Sequence, residues 1–431
     1  MPNITFVGGG SARFVRRLLL DIFSYEELTD AAITLMDIDA ERLGRAEAIV
    51  KKIIGDLALP AQVRTTIDQR SALDGADYVI VTIMVGGLEC YKSDVEIPAR
   101  YGIYQTVSDT IGPGGVFRTV RTAPVLRQIA ENLHEVSPRA WVLNYANPMA
   151  MNVWTLLDCG HDRSVGLCHS IQGGIRSIAQ WLELPNDEVR YTAGGLNHVN
   201  YYLTLEHAGR DLYPRLREAA DRVIAKKPAE RLRFTLLEHL GHFPAEGPQH
   251  QAEYYPWLAK DKETAEQYGA EPGYGYRVDS ENYYAYTEEI QAQVAGTKPV
   301  NYDGRSHEYG AHIIHALESG TPCKFYGSVR NRGLIENLPA QAAVEVPCIA
   351  DANGVAPCRV GRIPPQLAAV MTPHTLVHEL AVGAALEKNR QRLYQAVQAD
   401  PLAGAILTLP KIREMVDEMF AANRAFVDDW S

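Results

Sequence analysis

Two rhythms of apolar residues alternate through the first half of the chain. Ile4-Thr5-Phe6-Val7, Ile33-Thr34-Leu35-Met36, Asp77-Tyr78-Val79-Ile80-Val81-Thr82, Trp141-Val142-Leu143-Asn144-Tyr145 and Ser164-Val165-Gly166-Leu167 are short, β-prone apolar runs, a pattern that predicts buried strands. A shorter strand is expected at Val63-Arg64-Thr65-Thr66. Between the runs, apolar positions recur at helical spacing, as in Phe14, Val15, Leu18, Leu19 and Ile22, and again from near Glu41 to Ile54. Buried strands alternating with helices predict an α/β architecture, a doubly wound parallel sheet. Ligands gather at the carboxyl ends of such strands, and there the chain places Gly8, Asp37, Gly86, Asn147 and Cys168.

Beyond about residue 190 the texture changes. Val189-Arg190-Tyr191-Thr192 and Tyr201-Tyr202-Leu203-Thr204-Leu205 alternate like antiparallel strands around Gly194-Gly195-Leu196-Asn197-His198. Helical stretches follow, then a tyrosine-rich region from about 243 to 286, strand character near 341–360, and amphipathic helices over the last seventy residues. The expected organisation is therefore a nucleotide-binding domain over 1–190 and a mixed α+β catalytic domain over 191–431 that carries substrate and metal. A chain of 431 residues is long enough for two such cores.

Composition narrows the partners. The formal charge of −11 is dispersed, and no basic patch interleaves with aromatics, so nucleic acid is not expected. No apolar run is long enough to span a bilayer, and no membrane partner is expected. Met1-Pro2-Asn3 leads straight into the first strand, and the six cysteines lack disulfide-framework spacing. The expectation is a cytoplasmic, reduced protein. A homo-oligomer, dimer or tetramer, is also expected.

The chemistry begins at Gly8-Gly9-Gly10-Ser11, which sits between the first strand and the first helix. A strand, a tight glycine turn and a helix N-terminus together make a Rossmann-like dinucleotide site, although Arg13 stands where a third spaced glycine would fall. Asp37 or Asp39, ending the second strand, is placed to hold adenosine ribose hydroxyls and so favours NAD over NADP. Either acid alternatively caps the helix that begins near Glu41. Cys168 closes a buried strand, and His198 follows two glycines and Asn197. One thiolate and one imidazole leave coordination positions open, which suits a catalytic metal that also binds substrate. Isolated residues of both kinds are more often plain core.

Six ordered motifs complete the picture: Gly8-Gly9-Gly10-Ser11, Met36-Asp37-Ile38-Asp39, Gly112-Pro113-Gly114-Gly115, Asn144-Tyr145-Ala146-Asn147-Pro148, Gly166-Leu167-Cys168-His169-Ser170 and Gly195-Leu196-Asn197-His198. Together they resemble the NAD- and manganese-dependent glycoside hydrolases of family 4, nearly end to end. The likeness is greatest to the α-galactosidase (melibiase) branch, through residues 147–152, 168–173 and Ala252-Glu253-Tyr254. The resemblance implies NAD and Mn2+ (or another divalent metal) as cofactors, and a lactate-dehydrogenase-like C-terminal domain. It also implies hydrolysis by oxidation at sugar C3, loss of the C2 proton, elimination of the aglycone, addition of water and re-reduction. That route is an exception to the two-carboxylate glycosidases.

By the same resemblance, Cys168 and His198 are the metal ligands, and Asn147 holds sugar hydroxyls beside the nicotinamide. Asp109 supports the base, or alternatively caps a turn before Gly112. Gly8, Gly10, Ser11, Asp37 and Asp39 belong to the cofactor site. Members that cleave 6-phosphosugars carry an Asp after the metal-binding Cys and a Tyr base in a later segment, whereas this chain has His169 and Gln251. Both departures point to a non-phosphorylated α-glycoside, an α-galactoside first, with an α-galacturonide, α-glucuronide or α-glucoside as alternatives. They leave acid and base open among His169, His250 and Tyr254. Lys92 is either a contact to a uronate carboxylate or a solvated surface lysine. A plain NAD-dependent 2-hydroxyacid dehydrogenase, needing no Cys–His metal site, and a non-catalytic NAD sensor are the competing readings.

Overall fold

A computed structural model describes residues 1–430. Six strands form the expected parallel array: β1 (Asn3–Val7), β2 (Ala32–Met36), β3 (Gln62–Thr66), β4 (Tyr78–Val81), β5 (Trp141–Asn144) and β6 (Ser164–Gly166), in spatial order β3-β2-β1-β4-β5-β6. Ile4, Phe6, Val79, Ile80 and Leu143 are fully buried. Strands covered on both faces need apolar residues at consecutive positions, hence the continuous runs. The helix Ala12–Phe23 lays Val15, Leu18, Leu19 and Ile22 on the sheet. The helix Ala40–Asp56 does the same with Leu43, Ile49, Val50 and Ile53.

The sheet does not stop at β6. It continues with antiparallel strands β10 (Cys323–Arg330), β11 (Ala343–Asp351), β7 (Val189–Leu196), β8 (Val199–His207) and β9 (Arg210–Asp211), with β12 (Gly354–Pro357) on β11. The bridge between the two halves is a single paired position, Gly166 with Ser328. The hairpin β7–β8 is longer than its sequence pattern indicates and carries a register shift at Thr192/Ala193. That shift interrupts the period-two alternation that sequence reading relies on. The pattern assigns no strand to β10, whose Cys323-Lys324-Phe325-Tyr326-Gly327 mixes polar residues and glycine into a buried strand.

The C-terminal helices fold back on the first half. Phe420, in the helix Leu409–Ala422, meets Phe117 of the long helix Gly112–Val136 edge to face, with centroids 5.3 Å apart. One continuous core runs from Ile4 and Phe6 to Met415 and Met419. Among the described residues, no helix is long and apolar enough to cross a membrane.

Candidate active site

The glycine turn is clamped to the end of β2. Gly8 and Gly9 donate to the Met36 carbonyl at 2.9 and 2.8 Å, and Gly10 donates to Oδ2 of Asp37 at 2.9 Å. A Cβ on Gly10 would stand 2.5 Å from that oxygen, and one on Gly9 3.0 Å from Leu35 Cβ. The turn therefore has no room for side chains. Ser11 is the N-cap of the following helix and its hydroxyl makes no capping bond. An uncommitted hydroxyl at a helix start suits a phosphate. Arg13, Arg42, Arg45, Tyr283 and Tyr286 line the adjoining cleft of about 110 Å³. Ile38 and Ile67, after β2 and β3, are 90% and 65% exposed. Cations, a bare glycine turn and uncovered apolar side chains fit an anionic dinucleotide with a ring to stack. Asp39 has a task of its own, because its Oδ1 accepts from the N–H groups of Glu41 and Arg42 at 2.9 and 3.0 Å. Those bonds hold its carboxyl below the usual range, and they cap the helix Ala40–Asp56. Asp37 remains buried beside the turn, and its Oδ1 accepts from the Asp39 N–H.

Three chain segments converge at the far side of the sheet's carboxyl edge. Cys168 follows β6. His198 occupies the two-residue turn between β7 and β8 with φ +66°. A left-handed non-glycine residue costs of order 1–3 kcal/mol and persists where surroundings over-determine it. Here Gln251 Nε2 donates to the His198 carbonyl. Residues 243–245 run along β8, with Tyr202 N–H donating to the Phe243 carbonyl and Ala245 N–H to the Asn200 carbonyl, both at 3.0 Å. This delivers Glu246 to the hairpin tip. Cys168 Sγ lies 3.5 Å from His198 Nε2 and 3.9 Å from Glu246 Oε2, and His198 Nε2 lies 3.3 Å from Glu246 Oε2. All three donor atoms fall within 4.8 Å of one another, the one such group among the described residues.

The donor set fits a divalent transition ion with positions left for substrate. Nδ1 of His198 and Nδ2 of Asn197 are buried without partners. Burial, then the charges of Glu246 and Glu345, push the Cys168 thiol well up. A cation among these groups reverses that balance, since a coordinating thiol is deprotonated. Glu345, behind the cluster, is pushed up to about 7, first by burial, and takes a hydrogen bond from the Asn200 amide.

A second cluster adjoins the first. His250, on the short helix Pro248–Ala252, faces His198 with ring centroids 4.1 Å apart. Its Nδ1 lies 3.7 Å from Oδ1 of Asp109, and Asn147 Nδ2 donates to Oδ2 of Asp109 at 2.8 Å. Burial opposes charge on Asp109, but His250, Arg118 and His198 outweigh it and hold the carboxyl below its usual range. Glu253 fixes the segment that carries Asp109, accepting from the N–H groups of Val107 and Ser108 at 2.5 and 2.6 Å. Burial and the nearby Asp109 push Glu253 up to about 8. Tyr254 is buried with its hydroxyl near Thr110, and burial pushes the phenol well above its usual range.

The structure thus brings together Cys168, His198, Asn147, Asp109, His250 and Tyr254. His169 stands at the rim, its side chain 70% exposed and Nδ1 3.9 Å from Glu308. Lys92 is half-exposed and pairs with Glu96 one helical turn away, at 3.8 Å, a surface arrangement worth little. Glu246 and Arg118 escape sequence reading. Pro244-Ala245-Glu246-Gly247 has no ligand spacing, and Arg118 reads as one more residue of a long helix.

Comparison with known proteins identifies the family. The family model described as family 4 glycosyl hydrolase matches residues 3–184, and that of its C-terminal domain matches residues 193–403. An alpha-galactosidase of Bacillus subtilis (strain 168) is 35% identical, covering 100% of this chain and 99% of the relative. An alpha-galactosidase of Rhizobium meliloti (strain 1021) is 34% identical, covering 100% and 90%. Among solved structures, a 6-phospho-alpha-glucosidase from gut microorganisms, in complex with NAD and Mn2+, superposes with a TM-score of 0.84 at 22% identity, covering 100% of both chains. The chain belongs to family 4 of the glycosyl hydrolases.

Proposed function

We propose that this enzyme hydrolyses non-phosphorylated α-galactosides with NAD and a divalent metal such as Mn2+ as cofactors. The observation that carries the reading is the contact of two clusters at one sheet edge. The Cys168–His198–Glu246 donor set touches the His250–Asp109–Asn147 chain, and the glycine turn lies along the same edge. When bound, the dinucleotide supplies reversible oxidation at sugar C3, and the metal supplies Lewis-acid polarisation.

The chain's own residues do the rest. Gly8, Gly10, Ser11 and Asp37 shape the dinucleotide site, while Asp39 serves its helix. Cys168, His198 and Glu246 hold the metal. Asn147, anchored on Asp109, orients sugar hydroxyls. His250 takes the C2 proton, and the Asp109 carboxylate beside Nδ1 stabilises the imidazolium that forms, the division of labour of a base and its orienting acid. Tyr254 walls the pocket as a neutral phenol. His169, at the rim, donates a proton to the departing oxygen. His169 in place of the phospho-branch Asp supports a sugar without phosphate, as does the 35% identity to an alpha-galactosidase. A cytoplasmic homo-oligomer, dimer or tetramer, with domains meeting near residue 190, belongs to the same reading.

The test is a panel of nitrophenyl α- and β-glycosides, galacturonides and glucuronides, assayed with Mn2+ and reductant before and after nucleotide stripping. The α-galactoside is the preferred substrate, and activity returns with catalytic NAD+ and no accumulation of NADH. Stoichiometric NADH would favour the dehydrogenase, and full activity without nucleotide would overturn the reading.

A further inference from the structure

Arg118 projects from the helix Gly112–Val136 into the site and is 6% exposed. Its Nε and Nη1 are fully buried and have no hydrogen-bond partner. The nearest carboxylate oxygen, Oδ2 of Asp109, lies 4.0 Å from Nη1, beyond hydrogen-bond reach. Oδ1 of Asp109 and the hydroxyl of Tyr91 are likewise buried and unpartnered. The guanidinium is held in place, with its carbon 4.9 Å from the centre of the Tyr91 ring. Tyr91 is itself braced by Tyr276 at 5.6 Å. Buried donors and acceptors left facing one another without bonds are uncommon, and here they border the cluster that holds Asn147 and His250.

The surrounding charge decides what fits. Asp94 is fully buried and paired with Arg121, whose Nη1 donates to it at 3.0 Å. Asp109 faces Arg118, and Asp279 lies close enough to be influenced by both. Two guanidiniums therefore meet three carboxyl groups. The free Arg118 N–H groups look onto the Asp109 carboxylate, which, against burial, His250, Arg118 and His198 hold below its usual range. A hydroxyl, which accepts one hydrogen bond and donates another, satisfies a free Arg118 N–H and a free Asp109 oxygen together. A carboxylate or phosphate accepts only, and would leave Asp109 facing a like charge.

We propose that Arg118, acting with Asp109, is a specificity-determining contact that binds hydroxyl groups of a neutral sugar and discriminates against its uronate. This rests on the glycosidase reading above and names the charge class of its substrate. It does not depend on galactose being the preferred neutral sugar.

The test is calorimetric binding of galactose, glucose, mannose and their uronic acids to the Mn2+- and NAD-loaded enzyme, alongside Arg118→Met and Arg118→Lys variants. The wild type should bind its best neutral sugar at least tenfold more tightly than the matching uronate. Arg118→Met should weaken that sugar at least tenfold and raise KM more than it lowers kcat, with metal and dinucleotide stoichiometry unchanged. Arg118→Lys, which keeps the charge with fewer fixed donors, should fall between them and decides the matter if the Met variant does not fold. Equal or tighter uronate binding by the wild type, or wild-type sugar affinity in both variants, would overturn the proposal. Neutral-sugar binding without α-galactosidase activity would instead overturn the substrate assignment and leave the role of Arg118 standing.

Discussion

Oε2 of Glu246 lies 3.3 Å from Nε2 of His198, so a carboxylate closes the donor set that the thiol of Cys168 begins. The carboxylate is reached only because residues 243–245 follow β8 to the hairpin tip. Glu246→Gln keeps the shape and removes the charge. Metal affinity should fall about tenfold or more, with Cys168→Ser and His198→Ala at least as damaging. Titration of the metal-free proteins with Mn2+ checks this, and unchanged affinity in Glu246→Gln would remove Glu246 from the ligand set.

His250 bridges the two clusters. If it takes the C2 proton, His250→Ala should lower kcat by about 10²- to 10⁴-fold while metal and dinucleotide still bind at full stoichiometry. Asp109→Asn should lower kcat in the same direction, because the amide stabilises the imidazolium less. A loss of metal with no selective loss of kcat would recast His250 as scaffolding for His198.

The parts legible in the sequence are those set by local pattern. The glycine turn, the parallel strands and the strand-end positions of Asp37, Asn147 and Cys168 follow from runs of apolar residues and from what closes them. His198 stands out because a histidine after two glycines and an asparagine is a poor packing residue, and it proves to be a strained turn residue with φ +66°. Glu246 and Arg118 are illegible for a common reason. Each earns its place through a tertiary contact, the one by pairing along β8 and the other by facing Asp109 across the site. Strand β10 was hidden because polar residues and glycine interrupt its apolar run, and because its partner β6 is far away in sequence.

Glu253 makes stability depend on pH. Its folded carboxyl is raised from 4.5 to about 8, first by burial. A raised acid favours folding in its protonated form. The contribution is therefore fully present below the unfolded value and is lost as pH rises through about 8. Glu253→Gln keeps an acceptor for the Val107 and Ser108 N–H groups and cannot ionise. Urea midpoints measured from pH 6 to 9 should show the wild type losing stability relative to the variant as pH rises. Parallel curves would mean that Glu253 does not ionise across this range.

The central claim is that bond cleavage passes through loss of the C2 proton at this pair of clusters. Hydrolysis of the preferred α-glycoside in D2O, followed by proton NMR or mass spectrometry of the released sugar, tests it most directly. Deuterium at C2 is predicted, because the abstracted proton exchanges with solvent before a proton returns. Complete hydrolysis with C2 unlabelled would mean direct displacement at C1 and would contradict the account.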